Sequence, residues 1–482
     1  MPKKLTEILV VAIGTSLAVY VVRQLCSGAV FVPAMVIAAA CGIFIILLLK
    51  DKYWYLIPAA MVLQLGVIPI GGRSMDVAEF IIPACFLIMI VRFILDRSQK
   101  ISFGRQKAQG VFLYFWWVVL IFCMNPSGML MFGSQSFGAR FYYKILIAFL
   151  SFLVMRNVKV TERDCRNVIL LVLVGMFISM VQGILAWQGS IVAADRAGED
   201  FYTWHQLLAA PALTVSILLF VRYKIEGFFS SPWRWLLYGA CFGITVFSGK
   251  RMGLLSMMLV PVIQVFIDRR GWNYLLGVVA GGVVVLALLV GASHANVLPK
   301  VAQRSLAFIP GMALDREVEG QTTGKFRAYI REYAWNVVIK KHPVVGLKGY
   351  AMDYDEVASL LLSHGGGETG GAEGYAVTRS WHTTWLGMAA DFGIPAAIFW
   401  GIFIVQRWRY TLQCFRLSKA GSWQYLLVGW MLIGTVIELT RSITSGHSAI
   451  EPFNAWWKFG LVVSILSALL KKGIEPKTED CQ

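Results

Sequence analysis

The stretch NYLLGVVAGGVVVLALLVG at residues 273–291 carries no charged side chain. Its length is about the 20 residues with which an α-helix crosses the hydrocarbon core of a bilayer. Similar runs fill most of the chain, near 6–22, 29–49, 53–70, 77–95, 110–124, 139–155, 167–187, 204–221, 235–247, 252–267, 383–405, 424–441 and 455–470. The 482 residues are 57% hydrophobic and 15% charged, with a mean hydropathy of +0.66, which is outside the range of soluble domains. The expected fold is therefore an all-α polytopic membrane protein of about 12–14 transmembrane helices. One long polar stretch interrupts it, directly after the quoted run. The expected organisation is thus 1–291 transmembrane, 292–382 an outer loop, and 383–482 transmembrane with a solvated tail.

A formal net charge of +17 would suggest nucleic acid in a soluble protein. Here the basic residues cluster in short loops between apolar runs, where they set orientation. With the N-terminus in the cytoplasm, 25 of the 44 Lys and Arg residues fall at inner ends, from Lys3 and Lys4 through Arg222, Arg407 and Arg409 to Lys477. This sorting places 292–382 outside. Eight cations fall outside without orientation requiring them: Arg140, Lys144, Arg196, Lys250, Arg251 and Arg441, with Arg327 and Arg331 in the insertion. Two readings stand side by side, a lipid phosphate reached by snorkelling or an anionic ligand at the outer face.

The eight cysteines are scattered without CxxC spacing, so neither a disulfide framework nor a zinc site is indicated. The first apolar run lacks a small-residue cleavage site and reads as a retained helix. P-loop, GxSxG, HExxH and Rossmann glycine patterns do not occur, and no cofactor is indicated. Asp353-Tyr354-Asp355 reads as solvated loop, and GGGETGGAEG at 365–374 as a flexible segment.

Within the insertion, residues 324–341 have the pattern of an amphipathic helix with Phe326, Ile330, Tyr333 and Val337 on one face. It should stop at His342, because Pro343 disfavours a helical residue before it. Arg327 and Arg331 are four apart and share a face, a suitable clamp for a diphosphate, although a solvated helix face carries the same pattern. Ser248-Gly249-Lys250-Arg251 stands at the N-terminus of span 252–267. Cations there oppose the helix dipole, and an anion bound between them would relieve that cost. His382, at the start of span 383–405, is the leading candidate for taking a proton near neutral pH. His205 is a weaker second, and His342 serves the turn that ends the helix. Asp391, nine residues after His382, is placed to orient a partner.

Several of these pieces, taken in order, resemble the bacterial O-antigen ligase and polymerase superfamily. They are RAG at 196–198, SGKRMG at 248–253, Arg331 four residues before Trp335, HPVVGLKG at 342–349 and WHTTWLGMAADFGIPAAIFW at 381–400. Together they cover roughly residues 190–405. The chain departs from the family pattern at Thr383, where Asn is common, and at Lys348, where Gly is usual. The resemblance implies an inverting, metal-independent glycosyltransferase in the bacterial inner membrane with its active site facing the periplasm. Its donor would be an undecaprenyl-diphosphate-linked glycan and its acceptor a saccharide or lipid A-core. Arg251 and Arg331 would engage the donor diphosphate, helped by Arg327, Lys250 and Arg196, and His382 would act at the acceptor. Polymerisation and ligation stay open, and a transporter or flippase for lipid-linked saccharides is the alternative from another class.

Overall fold

The computed structural model describes residues 50–63, 67–70, 73–95, 107–124, 139–194, 203–248, 251–268, 271–314, 324–347, 381, 383–444 and 450–474. The spans expected at 6–22 and 29–49 lie outside the described residues, as do Asp353, Asp355 and the glycine-rich segment.

The described chain is predominantly helical. After a 3-10 turn at Lys50–Tyr55 come α1 (Leu56–Leu63), α2 (Ala78–Leu95), α3 (Gln109–Met124), α4 (Ala139–Arg156), α5 (Glu162–Ala194), α6 (Thr203–Phe229), α7 (Pro232–Phe247), α8 (Arg251–Ile267), α9 (Leu275–His294) and α10 (Lys300–Leu306). The chain continues with α11 (Gly324–Tyr333), α12 (Thr384–Phe392), α13 (Ile394–Leu417), α14 (Trp423–Thr444) and α15 (Ile450–Ile474). The all-α character expected holds, and the expected list of spans needs one correction. Residues 53–70 do not form one span, because a short antiparallel pair, β1 (Val67–Ile70) and β2 (Arg73–Asp76), follows α1. Gly71-Gly72 between the strands is a two-residue hairpin signal that overrides the apolar run.

Four described helices are long and apolar enough to cross a membrane: Ala78–Leu95, Leu208–Phe228, Trp272–His294 and Trp423–Ile443. Leu208–Phe228 and Trp423–Ile443 are about half-buried in the protein, whereas Trp272–His294 buries none of its apolar side chains. Leu276 on α9 is 83% exposed, and Val279, Val283, Val284 and Leu288 beside it are exposed as well. A contiguous apolar face of this kind is unfavourable in water and is covered without cost by lipid.

Contacts divide the described chain into two compact units that interleave in sequence. The first takes the chain up to Leu171, then Lys325–Ser418 and the stretch from Glu438 onward. Its core is aromatic. Phe115 stacks on Phe149 at 3.9 Å between ring centroids, and Trp400, Phe403, Trp456 and Phe459 close the cluster from α13 and α15. The second takes Val172–Gly324 and Lys419–Ile437. There Phe220 stacks on Phe228 at 4.2 Å, and the Tyr238 hydroxyl donates to the Met257 carbonyl at 2.9 Å.

Ion pairs inside the first unit correct two expectations about charge. Lys144 Nζ lies 3.4 Å from Asp76 Oδ2 and 3.8 Å from Glu79 Oε1, so this outward cation is accounted for by protein carboxylates. Arg407, sorted above to an inner helix end, instead lies within α13, 2% exposed. Its Nη1 donates to Glu438 Oε2 at 2.5 Å, while Lys458 Nζ donates to Oε1 of the same carboxylate at 2.7 Å. A buried charge survives only when it is paired, and one carboxylate here joins α13, α14 and α15. At the start of α5, Asp164 accepts from Lys52 Nζ at 2.7 Å, from the Tyr55 hydroxyl at 2.5 Å, and from the N–H and hydroxyl of Thr161 at 2.8 Å each. Burial pushes this carboxyl up, but the four donors outweigh it and hold its pKa below the ordinary carboxylate value.

Candidate functional site

The amphipathic helix of the insertion forms as α11 and continues as a π-helix over Ala334–Ile339, with Lys340 N–H bonded to the Trp335 carbonyl at 3.0 Å. The wider π turn advances the register by one residue, so Val338 and Ile339 both turn inward. The buried face is therefore Ile330, Ala334, Val338 and Ile339, packed in one cluster with Trp381, Ala389 and Ala390, and Tyr333 lies at its edge. Arg331 is on the opposite, exposed side. Arg327 belongs to the same helix, and its side chain lies outside the described residues.

The helix ends where Pro343 requires. His342 N–H still bonds to the Val338 carbonyl at 2.9 Å, and the chain then turns, with Gly346 N–H bonded to the His342 carbonyl at 2.9 Å. This turn meets a break that hydropathy did not indicate. The run 383–405 is not one span: α12 stops at Phe392, Gly393 takes φ 86 and ψ 168, and α13 begins at Ile394. The two glycine corners interlock. Leu347 N–H donates to the Ala390 carbonyl at 2.7 Å, and Ile394 N–H donates to the Pro343 carbonyl at 2.8 Å. A Cβ on Gly393 would lie 1.8 Å from the Val344 oxygen, and one on Gly346 would lie 2.4 Å from the Ala390 oxygen. Only glycine fits either position, both for its positive φ and for the closeness of the facing backbone. From α3, the Trp117 indole N–H donates to the Phe392 carbonyl at 2.9 Å and ties down one more group of the break.

Asp391 finds its partner in Trp381, whose indole N–H donates to Oδ1 at 3.2 Å, both side chains being buried. The contact spans α12 from its last turn to the residue just before His382 in sequence. At the N-terminal end, Thr383 is the N-cap residue without a side-chain cap bond, and the Thr383 carbonyl takes the first intrahelical bond from Gly387 N–H at 2.9 Å. The Trp385 indole is committed to Ser442 Oγ at 3.2 Å.

In the second unit, the Ser248 hydroxyl bonds back to the Thr245 carbonyl at 2.7 Å as α7 ends, and Arg251 is the first residue of α8, half-buried. The start of the insertion folds over this corner. Ala302, Leu306 and Ile309 pack on Val246 and Leu254, and Ser305 Oγ donates to the Val246 carbonyl at 2.7 Å.

Of the candidate residues, the structure thus places Arg331 in the first unit, on the helix locked to α12, and Arg251 by itself in the second. His382, Lys250 and Arg196 lie outside the described residues, and His205 is in α6 with its side chain likewise outside them. Sequence reasoning missed the paired corners at Gly346 and Gly393. The signal present was Gly-Ile-Pro at 393–395, a breaker pair inside an apolar run. No family model and no curated protein sequence matches the chain.

Proposed function

We propose that the chain is a polytopic inner-membrane glycosyltransferase of the O-antigen ligase and polymerase type, with 12–14 spans and the insertion 292–382 on the periplasmic side. The observation that carries this reading is the lock between the Arg331-bearing helix with its HPVVGL turn and the helix that begins after Trp381-His382. These bonds join residues 43 and 51 apart in sequence, Leu347 to Ala390 and Pro343 to Ile394, and they hold the Arg331-bearing helix against the helix that follows His382 in sequence.

In the proposed reaction a hydroxyl of the acceptor sugar attacks the anomeric carbon of the donor. His382 takes the hydroxyl proton, the new glycosidic C–O bond forms with inversion, and the anomeric bond to the diphosphate breaks. The electron pair leaves on undecaprenyl diphosphate, whose developing charge Arg331 and Arg251 neutralise with Arg327, Lys250 and Arg196. His382→Ala is expected to abolish transfer from an undecaprenyl-diphosphate-linked glycan by the purified protein, with expression unchanged. Normal product from that variant overturns the base assignment. Arg331→Ala and Arg251→Ala are expected to weaken donor affinity. In cells, deletion leaves single-repeat glycans if the enzyme is a polymerase, and full-length glycan on undecaprenyl diphosphate if it is a ligase.

One observation favours a second reading. The Arg407–Glu438–Lys458 triad is charge held within packed helices, as a transporter or flippase for lipid-linked saccharides would carry. Its charges are engaged with each other, which a structural tie between three helices also explains, and the transferase reading therefore stands first. Translocation of a lipid-linked saccharide in reconstituted vesicles, lost in Glu438→Gln, would reverse the order.

A further inference from the structure

The N-terminus of α12 holds a set of donors that nothing else in the described protein uses. Thr383 and Thr384 are 9% and 0% exposed, and neither hydroxyl has a hydrogen-bond partner among the described residues. The N-cap hydroxyl does not turn in to cap the helix, and the first intrahelical bond is made only by Gly387 N–H. The N–H groups of Thr384, Trp385 and Leu386 ahead of it are the ones a helix leaves open. Polar side chains nearby are committed elsewhere, Trp381 to Asp391 and Trp385 to Ser442. Two buried hydroxyls left unpaired are costly, and a protein keeps such groups where an outside partner completes them.

The chemistry of that partner follows from the inventory. Three N–H groups donate only, and the two hydroxyls can donate as well as accept, so up to five protons are offered to a partner. An oxyanion brings acceptors only and can use all of them, and the helix dipole adds to its binding, a gain that a neutral sugar hydroxyl does not share. We infer that Thr383, Thr384 and the first turn of α12 form an oxyanion site for a diphosphate, distinct from the arginines in using neutral donors alone. Assigning that diphosphate to the lipid-linked donor rests on the transferase reading; the oxyanion site itself does not.

The test is isothermal titration of the full-length protein in detergent with inorganic pyrophosphate and, separately, with farnesyl diphosphate. Thr384→Val keeps the side-chain shape and removes the hydroxyl, and is expected to lower affinity about tenfold, as is Thr383→Val. Thr384→Ser should restore affinity to within about threefold, which a purely packing role would not produce. Preference for the prenyl compound assigns the site to a lipid-linked substrate, and equal affinity assigns it to the free anion. Unchanged affinity for both ligands in the double Val variant, or no binding of either to the parent protein, overturns the inference. If those Val variants bind normally while His382→Ala still abolishes transfer, the site falls and the transferase stands. If pyrophosphate binding drops in Thr384→Val while the parent protein transfers no glycan from the lipid-linked donor, the site stands and the transferase reading falls.

Discussion

The two ends of α12 are nine residues apart and are built on opposite principles. At the C-terminal end the Phe392 carbonyl, the Ala390 carbonyl and the Ile394 N–H all have partners from α3 or from the turn at 342–347, and two glycines allow backbone to meet backbone. At the N-terminal end two buried hydroxyls and the first-turn N–H groups have none among the described residues. One end spends its hydrogen bonds on rigidity. The other leaves them open among the described residues, as the inferred oxyanion site requires. A helix anchored at one end and open at the other holds its free donors still, which is the condition under which electrostatic binding acts without reorganisation.

The contrast can be broken most severely at the closed end. Gly393→Ala puts a side chain into a φ/ψ region open essentially only to glycine and into the Val344 oxygen, and should cost about 3 kcal/mol or more, beyond the strain alone. Gly346→Ala should cost less, because its φ of 58 is one that other residues reach at times, though its Cβ meets the Ala390 oxygen. Thermal unfolding in detergent would rank them, and a ranking in which Gly393→Ala melts with the parent protein would remove the interlock as a structural element.

Asp391 links the two ends through Trp381. Asp391→Ala leaves a buried indole N–H without its acceptor and should cost roughly 1–3 kcal/mol. Asp391→Asn keeps an oxygen facing the indole and should retain most of that stability. Equal loss in both variants would mean that the charge matters rather than the acceptor. At the open end, Thr383→Val and Thr384→Val should leave the melting temperature unchanged or slightly raised, since they remove hydroxyls that no described residue satisfies. A marked fall in stability would show that the hydroxyls serve the fold after all, and the two ends would no longer differ in kind.

The smallest effect belongs to a site remote from α12. Asp164 has its pKa depressed in the folded protein, so its contribution to stability is fully present above the unfolded carboxylate value of about 4 and is lost as the pH falls through the folded value. Asp164→Asn should flatten that acid limb and cost roughly 1 kcal/mol at neutral pH, measured by melting across the acid range. An unchanged acid limb would mean that other carboxylates dominate it.

Residue type and order alone were enough for the local features of this protein. The apolar run 77–95 is α2, 273–291 is α9 and 424–441 lies in α14, because a backbone in an apolar medium must satisfy its own hydrogen bonds, and a helix does so within a single segment. Pro343 ended the insertion helix for an equally local reason. Partnership was decided only in three dimensions. Hydropathy sorted Arg407 to a helix end and left Lys144 looking for an anion outside the protein, because a sum over neighbours in sequence does not contain the carboxylates of Glu438, Asp76 and Glu79. It ran 383–405 together as one span, because the oxygen that demands glycine at 393 comes from Val344. Threonines at 383 and 384 look alike in sequence whether their hydroxyls are bonded or open. Which they are depends on what the fold brings to them, and among the described residues the polar side chains nearby, Trp381 and Trp385, are committed to Asp391 and Ser442.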